Sequence, residues 1–88
     1  MRQRVPLDDD SFGEIVIWQL PKPLPGSPHD YKYRLALVSE NICVLRYDNE
    51  AGKGDHKHVG EKEMEYEFKG IDRLLDDFYG DIELWRLR

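Results

Sequence analysis

Residues 31–38 read YKYRLALV and residues 42–48 read ICVLRYD, with only Ser39, Glu40 and Asn41 between them. In an extended chain Tyr31, Tyr33, Leu35 and Leu37 fall on one side, and Lys32 and Arg34 fall on the other. Two apolar-rich stretches of this kind joined by a short polar turn predict an antiparallel β-hairpin. Upstream, residues 14–20 (EIVIWQL) are rich in β-branched and aromatic side chains and predict a further strand. Between that strand and the hairpin lies PKPLPGSP, residues 21–28. Its four prolines and one glycine exclude helix and central strand and predict a surface loop. Residues 1–13 are polar, with Asp8, Asp9 and Asp10 in a row, and are expected to be a mobile arm.

Downstream of the hairpin, residues 49–60 hold three glycines and predict a loop, with 56–59 either extending it or starting a fourth strand. Residues 64–68 (MEYEF) alternate again, with Met64, Tyr66 and Phe68 inward. Glu65 and Glu67 are then expected to face Lys32 and Arg34 across the sheet. From Ile71 to about Trp85 the period changes. Ile71, Leu74, Leu75, Phe78, Ile82 and Trp85 fall at offsets 0, 3, 4, 7, 11 and 14, the stripe of an amphipathic helix. Asp72 near its start and Arg86 and Arg88 beyond its end match the helix dipole, while Gly80 is a candidate break. The expected fold is α+β: an antiparallel meander of three to four strands with one C-terminal helix packed on one face and the other face open.

The chain has 88 residues, the length of one domain, with 14–85 as its ordered core. A single cysteine, Cys43, excludes an internal disulfide and fits a reducing compartment. Flanked by Ile42 and Val44, it reads as an inert core thiol. No apolar run approaches the ~20 residues that span a bilayer, and no signal-peptide pattern opens the chain. A cytoplasmic protein without membrane contact is expected. The net charge of −5 disfavours non-specific nucleic-acid binding, but the acidity is uneven. Residues 31–58 hold five Lys/Arg against four Asp/Glu, whereas residues 61–83 hold nine acids against three bases.

The chemistry concentrates in residues 46–58, RYDNEAGKGDHKH. His56 and His58, two apart, share a face on an extended chain, and imidazoles titrate near neutrality. With Lys53 they suit acid–base cleavage of RNA through its 2′-hydroxyl, and Asp55 or Asp48 can orient an imidazole. Arg46, Asp48, Asn49, Lys57 and Arg34 are the candidate substrate-binding residues. Three other readings stand beside this one. The stretch is a solvated hairpin loop; or it is a docking surface that does no catalysis; or the H-x-H pair with an aspartate binds a metal. The preferred reading needs neither metal nor cofactor. GKGDH is not a phosphate-binding loop, because it lacks the G-x-x-x-x-G-K-[ST] spacing. Trp18 and Trp85 read as core or interface anchors, and Tyr31, Tyr33 and Tyr47 as sheet packing.

YKYRLALV, VLRYDNE, GKGDHKH and IDRLLDDF, in this order, resemble the TumE-type proteins of bacterial and archaeal toxin–antitoxin modules. The likeness covers residues 29–81, and its specific part is RYDN…GDHKH: Arg46, Asp48, Asn49, Asp55, His56 and His58. It implies a small toxin whose partner is a helix-turn-helix antitoxin, with RNA as the candidate target.

Overall fold

A computed structural model describes residues 1–87. Six strands precede one helix: β1 (Arg2–Pro6), β2 (Ser11–Gln19), β3 (Tyr31–Ser39), β4 (Ile42–Glu50), β5 (Gly54–Val59), β6 (Lys62–Glu65) and α1 (Ile71–Arg86). The strands form a single antiparallel sheet in chain order, and α1 packs across one of its faces. The class is therefore α+β, as expected, but the meander has six strands and not three to four.

Both extra pairings come from segments without apolar alternation. Residues 2–6, expected within a mobile arm, pair with residues 12–16 of β2, and even Met1 exchanges backbone hydrogen bonds with Ile17. The run 54–59, expected as loop with a tentative strand at its end, is β5 in full register with β4. The later strand is also displaced. It spans Lys62–Glu65 and ends before Tyr66, so the predicted strand 64–68 is only half formed. Glu65 lies opposite His56, and β4 and β5 separate it from β3, so it does not face Lys32 or Arg34. The acid beside Arg34 is Glu14 on β2, at 3.6 Å.

The core lies between the sheet and the helix. Ile15, Ile17, Tyr33, Leu35, Leu37, Leu45 and Tyr47 project from the sheet onto Leu74, Phe78 and Ile82. Tyr66 and Phe68 pack against this core although they follow β6, while Met64 is exposed. The helix runs unbroken through Gly80, because the buried Phe78 and Ile82 fasten the turns on either side of it. Gly70 caps α1 at φ 108°, a conformation that side chains resist. A cap with a Ser or Asp side chain is thus excluded by the backbone the entry to the helix requires. Arg86 lies in the last turn; Arg88 lies outside the described residues.

A β-bulge interrupts the β3–β4 ladder, where Leu37 pairs with Leu45 but Val38 pairs with Cys43. The bulge reverses the parity of the strand. Val44 packs on the core and Cys43 is exposed, which corrects its reading as a core thiol. Among the described residues no helix is long and apolar enough to cross a membrane.

Two stability predictions follow from the helix contacts. Phe78→Ala empties the centre of the interface and should cost about 3–5 kcal/mol in urea denaturation. Asp77 on α1 accepts from Tyr66 Oη at 2.6 Å and from Arg73 Nε at 3.0 Å. Burial opposes its ionised form, but these two hydrogen bonds outweigh it and hold the carboxyl below its ordinary value. Its contribution is therefore present above the ordinary carboxylate range and lost as pH falls through the lower folded value. The stability gap between the native protein and Asp77→Asn should accordingly narrow as pH drops below about 4.

Candidate functional site

Pleating divides the 46–49 stretch of β4 between two environments. Arg46 and Asp48 emerge on the open face of the sheet, while Tyr47 and Asn49 are buried on the helix side. The pairing with β5 sets Arg46 against His58 and Asp48 against His56. That with β3 sets Arg34 against Asp48, and that with β6 sets Glu63 against His58. Both imidazoles therefore share the open face with Arg34, Arg46, Asp48, Glu63 and Glu65.

Arg46 Nη2 lies 3.1 Å from His58 Nε2. A guanidinium only donates, so His58 accepts through an unprotonated Nε2. Asp48 Oδ1 lies 3.6 Å from that nitrogen, and Asp48 Oδ2 lies 2.9 Å from Arg46 Nε. The Arg46 Nε is buried and its N–H is not aligned on the carboxylate, so this contact is an ion pair without a formed hydrogen bond. Glu63 Oε1 stands 3.9 Å from Nε2 of both His56 and His58. One carboxylate thus serves both rings. Beside the cluster opens a shallow hollow of about 460 Å³, bounded by Trp18, Lys32, Arg34, Arg46, Asp48 and Glu50.

The remaining candidates lie elsewhere. Lys53 is at the exposed hairpin tip, 3.7 Å from Glu50, and not beside the histidines. Lys57 is on the helix side, where it pairs with Asp81 at 2.5 Å and lies over the Tyr47 ring. Asn49, 1% exposed, takes the place of a ladder residue. Its Oδ1 accepts from the Tyr33 N–H at 3.0 Å and its Nδ2 donates to the Tyr31 carbonyl at 2.7 Å. Asp55 does orient an imidazole, but that of His29, at 2.9 Å, and it also accepts from Tyr33 Oη at 2.6 Å. Burial, then this hydrogen bond, push the Tyr33 phenol far above its ordinary range, so it stays a donor.

Three residues at the two sites escape a reading of the sequence. Glu63 stands next to the histidines only once β6 is known. His29 sits in the proline-rich connection, remote in sequence from its partner. Trp18, taken as an anchor, is 53% exposed on the open face. Among the described residues no group of three or more His, Cys, Asp or Glu side chains is gathered as a metal site.

The two aspartates separate structure from chemistry. Asp55→Ala leaves the buried Tyr33 hydroxyl and the His29 ring without an acceptor and should cost about 2–4 kcal/mol, read as a lowered melting temperature. Asp48→Ala removes a carboxylate that is 16% exposed and makes no formed hydrogen bond to the buried Arg46 Nε, and should cost less, about 1–2 kcal/mol.

No curated protein and no solved structure matches the chain. A family profile described as Toxin TumE matches residues 2–86. That span takes in all six strands and the whole of α1, and it includes every residue of the open-face cluster. The chain belongs to the TumE toxin family, which gives it a toxin-like role in a toxin–antitoxin module and implies an antitoxin partner.

Proposed function

We propose that the protein is a metal-independent endoribonuclease toxin acting in the cytoplasm, neutralised by a helix-turn-helix antitoxin. The observation that supports this reading most is the β4–β5 register, because it gives both imidazoles and Arg46 one solvent-reachable face. His58, unprotonated at Nε2 against Arg46, takes the proton from a ribose 2′-hydroxyl. The 2′-oxygen then attacks the adjacent phosphorus and the P–O5′ bond breaks. His56, in its charged form beside Glu63, gives its proton to the departing 5′-oxygen. The products are a 2′,3′-cyclic phosphate and a 5′-hydroxyl. Arg46 balances the charge that builds on the phosphoryl oxygens, with Arg34 as the neighbouring cation, and Asp48 positions Arg46. Lys53, Asp55, Asn49 and Lys57 take no part in the chemistry in this reading, because the tip and the helix side of the sheet keep them from the histidines.

The test is direct. Purified protein should cleave RNA in the presence of EDTA and leave cyclic-phosphate ends. His56→Ala and His58→Ala should each lower the rate by roughly 10²–10⁴-fold and relieve growth arrest on expression. Full arrest by the double variant would exclude the assignment. Tight binding to an antitoxin with no turnover of RNA would instead favour a docking module without catalysis.

A further inference from the structure

Trp18 is the largest side chain left uncovered on the open face, and nothing in the hairpin chemistry above uses it. It is the penultimate residue of β2, opposite Lys32, with its parity neighbour Val16 opposite Arg34. Ile17 between them turns into the core, so the pleat commits Trp18 to the other side. The indole is 53% exposed and forms one wall of the hollow whose far wall is Arg46 and Asp48. The hollow is thus continuous with the acid–base cluster at one end and bounded by an aromatic surface at the other.

We infer that Trp18 is a base-stacking platform, and that the substrate strand is single-stranded RNA lying across the open face from Trp18 to the histidines. The inference rests on the reading of the cluster as a ribonuclease site. Strands lie about 4.8 Å apart and rise ~3.3 Å per residue, which separates the Cα atoms of Trp18 and His56 by roughly 16 Å. A base on the indole therefore belongs to a neighbour of the nucleotide being cut.

Charge leaves stacking as the main source of affinity. The chain carries net −5. On this face Glu14 stands between Arg4 and Arg34, at 3.8 and 3.6 Å, and the Lys32 ammonium is engaged by the Asn49 carbonyl. The phosphate attraction available is correspondingly modest. Stacking does not depend on net charge and tolerates every base, but it needs an unpaired one. Bases inside a duplex cannot reach an aromatic ring on a sheet, so the geometry selects single strands.

The test uses the full chain and a short mixed-sequence oligonucleotide with 2′-O-methyl riboses, which cannot be cut. With Trp85→Phe, Trp18 is the sole tryptophan, and the single strand should quench its emission while the same strand annealed to its complement does not. Should Trp85→Phe fail to fold, anisotropy of a labelled oligonucleotide on the native protein carries the test. By that measure Trp18→Ala should weaken binding roughly tenfold or more, and Trp18→Tyr should restore most of it. Unchanged affinity in Trp18→Ala, with cleavage still dependent on His56 and His58, overturns the stacking platform and leaves the nuclease standing. Native protein that neither binds nor cuts RNA overturns both. Loss of antitoxin binding in Trp18→Ala with RNA binding intact identifies Trp18 as a protein anchor, and overturns the inference as well.

Discussion

Everything this sheet can do on either face follows from the backbone register between β4 and β5. Side chains alternate along a strand, so a slip of one residue would exchange the two faces completely. With β4 fixed by its core residues, His56 and His58 would be driven under the helix and Asp55 and Lys57 would turn outward. The face of β4 is held by burial of Leu45 and Tyr47, that of β5 by its ladder and by the helix-side contacts of Asp55 and Lys57, and the polar cluster on the other side inherits its geometry from both. The hairpin tip adds to this control. Gly52 and Gly54 adopt φ near +78°, and the Gly52 N–H donates to the Pro25 carbonyl at 2.8 Å, so the proline-rich connection braces the turn.

The sheet positions histidines of two kinds. His29 is locked in place: its Nδ1 accepts from the Tyr31 N–H, its Nε2 meets Asp55, and its ring lies 3.9 Å from that of Phe68. Every polar atom of that ring has a fixed partner, which suits a role in holding the connection to the sheet. His56 and His58 share Glu63 at 3.9 Å, and His58 also meets Arg46 and Asp48.

Periodicity made half of this fold legible. The β3–β4 hairpin, β2 and α1 each bury an apolar stripe, and each is readable from its spacing. β1 and β5 are not, because RQRVP and GDHKHV have no such stripe. They are held by backbone ladders, to which residue type contributes little. The candidate site was legible as a density of acids, bases and histidines, and the H-x-H spacing correctly implied a shared face. The missing information was parity: without β5 in register, Asp55 and Lys57 cannot be assigned to the face opposite His56 and His58. Cys43 was misread for the same reason, since no local pattern announces a bulge. Trp18 was left between core and interface because a tryptophan in an apolar run carries no sign of which face it will meet, and its exposure excludes only the core.

The bulge that turns Cys43 outward leaves the protein with one sulfhydryl, and that group is open to solvent. Under reduction it stays a free thiol, but on exposure to air two molecules can couple through it. The same geometry offers a convenience. A maleimide dye will attach at a single defined point on β4, without mutagenesis, and report on whatever approaches that strand.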